Sequence, residues 1–188
     1  NLGAVSIGMA YGWTAAAIEI FHDANNTLGM EPMTENDTSW LSSSLALSIL
    51  LILPFGSSLC ENFGRKNIAI FEAVGLTATW LMRLFGRNFY VLLAAQIVTG
   101  MCDGLTALVI FLYVTEISSD SIRGLLGGIY PFAFTGGSLT AFILAALLPY
   151  KIMTACAPIV SIVQLLGVLM LPETPVYLIR MKRIDEAK

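Results

Sequence analysis

The chain has 188 residues, of which 56% are hydrophobic and only 12% charged, and its mean hydropathy is +0.77. Soluble domains carry about 25% charged residues, so this chain has about half the charge needed to wet a surface and reads as a membrane protein. The formal charge of −3 includes no basic patch that would suit nucleic acid, and Cys60, Cys102 and Cys156 stand in apolar context without CxxC or histidine pairing, as small packing residues do.

Six runs approach the length of about 20 mostly apolar residues that a membrane crossing requires. They lie at Leu2–Phe21, Ser39–Cys60, Asn67–Phe85, Phe89–Tyr113, Leu125–Leu148 and Ile152–Leu171. The second, fifth and sixth hold no Asp, Glu, Lys or Arg. The third contains Glu72 and Arg83 near its two ends, where both are expected to snorkel to the interface. The spans predict an all-α, polytopic bundle over residues 1–175, and 176–188 then begins a charged segment expected to be cytoplasmic. Because the chain lacks an initiating Met and stops within charged sequence, it is expected to be part of something longer. No cleavable signal peptide is visible.

No Lys or Arg occurs before Arg65. Seven of the ten basic residues (Arg65, Lys66, Arg123, Arg180, Lys182, Arg183, Lys188) fall on one side of the predicted topology. Arg83, Arg87 and Lys151 fall on the other. Positive charge concentrates in cytoplasmic loops, so both ends of the chain are expected to face the cytoplasm and the 22–38 loop to face outward. That loop holds two glycosylation sequons, beginning at Asn25 and Asn36. Asn25 is the expected acceptor, since Asn36 stands close to the second span.

Polar residues inside the spans are the candidates for function. Asp103 lies near the middle of the fourth span, where a carboxylate is costly, so it is a functional candidate by default. Gln96, Gly100 and Asp103 follow at i, i+4 and i+7 and share one helix face, expected to line a watery cavity. The bland alternative is a protonated or hydrogen-bonded Asp103 facing a neighbouring helix. Gly100 and Gly104 form a small-xxx-small pair suited to close packing. Pro131, flanked by Tyr130, Phe132 and Phe134, interrupts the fifth span. It either exposes polar backbone at a site whose aromatic faces suit sugar rings or simply kinks a core helix.

Four motifs in order resemble the sugar-porter branch of the major facilitator superfamily, N-terminal half. Gly64-Arg65-Lys66 follows span 2, and Gln96-(x)3-Gly100-(x)3-Gly104 lies in span 4. Tyr113-Val-Thr-Glu116 precedes Arg123-Gly124, and Pro172-Glu173-Thr174-Pro175 is followed by Tyr177-Leu178. The last form looks most like insect trehalose and hexose porters. The resemblance implies a three-plus-three inverted repeat. It also implies a cytoplasmic gate of Arg65, Glu116, Arg123 and Glu173, unless these charges serve topology alone. Thr14, Gln96, Asp103, Tyr130 and Phe134 are the implied substrate-binding residues.

Departures from the family pattern matter too. Asn62 stands where a basic residue is usual and Glu61 where Asp is usual. Thr14 stands where proton-coupled members carry Asp, Gln96 where they carry Arg, and Pro131 where many carry a sugar-binding Gln. Loss of the Asp–Arg pair favours facilitated diffusion, and loss of the Gln makes a pyranose less certain. The reading is half of a facilitative hexose or trehalose transporter in the plasma membrane, working by alternating access. Its expected partners are a sugar, the lipid bilayer and a C-terminal six-helix half, with no cofactor or metal. The alternative is a non-transporting sugar sensor or degenerate paralogue. An intramembrane enzyme is disfavoured, because His22 is the only histidine and no catalytic grouping accompanies it.

Overall fold

The computed structural model describes residues 1–22, 30, 32–118 and 120–171. Among these residues are six helices: α1 (Leu2–His22), α2 (Glu35–Phe63), α3 (Arg65–Phe85), α4 (Phe89–Ile117), α5 (Asp120–Leu147) and α6 (Tyr150–Met170). Each is long and apolar enough to cross a membrane. Asn25, Glu173 with the rest of the Pro172–Leu178 motif, and the 176–188 segment lie outside the described residues.

Local chemistry sets the helix limits. α2 begins four residues before its apolar run because Thr34 and Asp37 make a capping box. The Asp37 N–H donates to Thr34 Oγ1 at 3.2 Å, and the Thr34 N–H donates to Asp37 Oδ2 at 3.1 Å. Asn36 therefore sits in the first turn of α2. Between α2 and α3 only Gly64 is non-helical, and its φ of 88° suits glycine, which has no Cβ to clash. Its N–H caps the Cys60 carbonyl at 3.1 Å. Pro131 does not break α5, which runs unbroken through it, just as α2 runs through Pro54 and α6 through Pro158. The expected interruption at Pro131 is therefore absent, although the proline removes one backbone donor from the helix.

The largest interfaces join α1 to α5 and α2 to α4, followed by α3 with α4 and α3 with α6. Exchanging the first three helices with the last three turns α1–α5 into α4–α2, α3–α4 into α6–α1, and α3–α6 into itself. The packing thus has the symmetry of a three-plus-three repeat. Glycine pairs set the two main contacts. A Cβ on Gly8 would overlap the Phe134 carbonyl oxygen of α5, and one on Gly100 would overlap the Leu45 carbonyl oxygen of α2. Such close approach lets helices pack without a hydrophobic driving force between them.

Large apolar side chains such as Leu50, Leu51, Phe55, Phe111 and Phe132 point outward, whereas Arg83, Gln96, Thr99 and Glu72 are buried. This distribution suits an apolar surrounding. Trp13, Phe21, Trp80 and Tyr150 form the aromatic core near the end of the bundle that carries Arg87.

Candidate functional site

Asp103, midway along α4, accepts a hydrogen bond from the Tyr11 hydroxyl of α1 at 3.0 Å and a longer one from the Tyr130 hydroxyl of α5 at 3.5 Å. The Tyr11 ring meets Phe134 edge-on, with centroids 5.1 Å apart. Three of the five expected substrate-binding residues, Asp103, Tyr130 and Phe134, therefore share one patch. Tyr11 completes it and was missed in the sequence, where it looked like one more aromatic in an apolar span. The two phenols satisfy the carboxylate that would otherwise be costly at this depth. Tyr130 also lines an open groove of 700 Å³ between α4 and α5 that reaches Phe111, Thr115 and Arg123.

Thr14 and Gln96 are elsewhere. Gln96 is fully buried, so it does not line a watery cavity with Asp103 as its helical spacing suggested, and Gly100 on the same face is closed off by α2. Helix–helix packing accounts for the difference. α4 lies against α1 and α2 along this face, and the groove toward α5 opens only in its second half, from Ala107 to Thr115. Gln96 Nε2 donates to Thr14 Oγ1 at 2.8 Å, and Thr14 in turn donates to the Ala10 carbonyl. Gln96 Oε1 accepts from Arg83 Nη2 of α3 at 2.5 Å, and the same Nη2 reaches Thr99 Oγ1 at 2.9 Å.

Arg83 was expected to snorkel to the interface. Instead it is fully buried, with its guanidinium carbon 4.8 Å from the centre of the Trp13 ring and 4.6 Å from that of Trp80. Two aromatic faces offset part of the cost of burying a cation. Gln96 and Thr99 offset a further part as acceptors for Nη2, while Nε and Nη1 are buried without a hydrogen-bond partner. Arg83 is therefore not a loop charge and leaves the charge count, which makes the asymmetry in basic residues steeper. Its burial had a visible signal, since an arginine inside an apolar span with Trp80 one turn before it is a functional candidate by default. Glu72, the other residue expected to snorkel, is also buried.

At the opposite end of the bundle, Arg65 Nη2 of α3 and Glu116 Oε1 of α4 form an ion pair at 2.7 Å, with side chains 7% and 12% exposed. Arg65 also donates to the Cys60 carbonyl. Arg123 is exposed and donates to the Thr115 and Ser118 carbonyls, at 3.3 and 3.4 Å, at the C-terminal end of α4. A guanidinium there also meets the negative end of the helix dipole. The structure thus brings two of the four expected gate residues into direct contact. Cys60, Cys102 and Cys156 are free thiols in packed or half-buried positions.

The chain is 27% identical to the facilitated trehalose transporter Tret1 of Polypedilum vanderplanki, over all of this chain and 37% of that protein. It is 28% identical to the human solute carrier family 2, facilitated glucose transporter member 6, over 99% of this chain and 36% of that one. The chain spans little more than a third of the length of these curated relatives. Among solved structures, the partially occluded inward-open xylose transporter XylE from E. coli shares the fold. Its TM-score is 0.83 at 17% identity, over 99% of this chain and 50% of that one. The family model described as "Sugar (and other) transporter" matches residues 1–188, and the chain belongs to that family.

Proposed function

We propose that this chain is the N-terminal half of a facilitative transporter that moves a hexose or trehalose by alternating access, with a second six-helix half completing the path. The observation that carries the reading is the Asp103–Tyr11–Tyr130–Phe134 patch, which meets the α4–α5 groove at Tyr130. It offers acceptor and hydroxyl groups beside an aromatic ring, which is what a polyhydroxylated ring requires. Proteins similar to this chain over its whole length carry names for trehalose and glucose transport. Arg65 and Glu116 act in this reading as a gate at the cytoplasmic end, joined by Arg123 and Glu173, and both ends of the chain face the cytoplasm from the plasma membrane. Asn25 is the glycosylated position on the outward loop. Residues 1–175 then act as one transmembrane bundle, and 176–188 start a cytoplasmic segment. Catalysis has no part in this reading.

Uptake of labelled glucose and trehalose by the full-length protein tests it. Saturable uptake that falls in Asp103→Ala and Tyr130→Ala supports transport through this patch. The departures at Thr14 and Gln96 favour a second reading, a non-transporting sensor. Sugar-dependent thermal stabilisation without any uptake would select the sensor instead.

A further inference from the structure

Glu72 and Gln164 belong to neither the solute patch nor the ion pair. Glu72 lies in the first half of α3 and Gln164 in the second half of α6, so both stand toward the end of the bundle that carries Arg65. They are 3% and 4% exposed. Gln164 Nε2 donates to Glu72 Oε1 at 2.7 Å. The remaining oxygens, Glu72 Oε2 and Gln164 Oε1, are both buried and both without a hydrogen-bond partner. Two side chains already joined by one bond therefore each present an acceptor with no donor.

No basic side chain among the described residues forms an ion pair with Glu72. The charged and titratable groups that face it are few. The backbone nitrogen of Asn1, just before α1, faces it, from α4 there are Asp103, a second carboxylate, and the Cys102 thiol, and from α5 there is the Tyr130 hydroxyl. From α3 itself, Lys66 lines the same 360 Å³ cavity and donates to the Leu169 carbonyl at 3.1 Å, and Tyr113 of α4 lines that cavity too. α6 contributes only the neutral amide. The rest of the cavity wall is largely apolar, including Leu2, Val109, Ile110 and Val168. An ionised carboxylate there would keep one amide N–H as its partner and lose nearly all its hydration, a situation in which such groups take up a proton instead.

We propose that Glu72 binds a proton on Oε2 and donates it to Gln164 Oε1, closing a two-bond acid–amide ring between α3 and α6. One proton then supplies a donor for both orphaned acceptors, and no net charge remains in the ring. The proton stays in place, so the ring is a neutral clasp between two helices and not a coupling site. This inference stands apart from the transport reading and holds whichever solute the protein handles.

Infrared spectroscopy of the purified full-length protein in nanodiscs tests it. At neutral pH the wild type should show a protonated-carboxyl C=O band that shifts on deuteration, disappears in Glu72→Gln and persists in Asp103→Asn. Glu72→Gln should keep the wild-type melting temperature, because a second amide reproduces the two-bond ring, while Glu72→Leu should lower it. Absence of the band in the wild type, or its loss in Asp103→Asn with retention in Glu72→Gln, overturns the proposal.

A second measurement needs no variant. Dicyclohexylcarbodiimide takes the proton of a buried carboxylic acid onto one nitrogen, and the carboxyl oxygen bonds to its central carbon. The O-acylisourea then rearranges to an N-acylurea that retains every atom of both reactants. Mass spectrometry should find that adduct on Glu72 at neutral pH. Labelling of Glu72 that is absent at neutral pH but appears when the protein is acidified means an ionised carboxylate within reach of the reagent and equally overturns the proposal.

Discussion

Gln96 of α4 donates its amide to Thr14 of α1 at 2.8 Å, so the first helices of the two three-helix repeats are joined by a neutral hydrogen bond. A Thr–Gln pair cannot hold and release a proton near neutral pH as a carboxylate–guanidinium pair can. Uptake by the full protein is therefore expected to be independent of a proton gradient. The check is uptake at mildly acidic and neutral pH, with and without an uncoupler. Accumulation against a gradient that collapses on uncoupling would sink the idea and make Asp103 the prime suspect as proton carrier.

Arg83 sits between Trp13 and Trp80 and orients Gln96. Replacing it with Met leaves Gln96 Oε1 and Thr99 Oγ1 short of a buried donor, which costs about 1–3 kcal/mol per orphaned group. Arg83→Met should thus lower the melting temperature of the purified protein. Adding Gln96→Leu to it should recover part of the loss, since the orphaned amide is then gone. Losses that simply add in the double variant would mean that the two side chains are not coupled.

Breaking the Arg65–Glu116 ion pair should bias the protein toward the state open on that side. Removing one partner of a buried, hydrogen-bonded pair costs about 3–5 kcal/mol, and each ~1.4 kcal/mol changes a population ratio tenfold. Glu116→Gln should reduce turnover at unchanged surface expression and raise the reactivity of cysteines placed in the α4–α5 groove from the Arg65 side. Arg123→Ala should do less, because Arg123 is exposed, where an interaction is worth less than in the buried Arg65–Glu116 pair. Equal effects of the two substitutions would contradict the difference in their burial.

Gly100 touches α2 backbone, whereas a Cβ on Gly167 meets nothing within 4 Å. Gly100→Val should destabilise by more than the roughly 1–3 kcal/mol typical of overpacking, because the clash is with a carbonyl that cannot rotate away. Gly167→Ala should be tolerated. Fluorescence size-exclusion profiles of the two variants would show the difference, and a monodisperse Gly100→Val peak at wild-type yield would refute it.

The number of spans, the all-α class and the approximate helix limits were written in the sequence, because a bilayer demands long apolar runs with satisfied backbones, and such runs are local features. Thr34-x-x-Asp37 and the glycine in Phe63-Gly64-Arg65 also act locally, and they place the ends of α2 and the start of α3. The four motifs carried the family for the same reason, being short patterns at fixed positions. Which polar residues meet was decided only by packing. Helical spacing put Gln96 and Asp103 on one face of α4, but α1 and α2 bury the first, while the second is buried under the Tyr11 and Tyr130 hydroxyls of α1 and α5. Charge rules sent Arg83 and Glu72 to the interface, since a lone span gives them no partner. The bundle instead offers Arg83 the Trp13 indole of α1 and the Gln96 amide of α4 beside the Trp80 indole of its own helix, and offers Glu72 the Gln164 amide from α6. The partners from other helices, Trp13, Gln96 and Gln164, lie 13 to 92 residues away in the chain, beyond the reach of any local pattern.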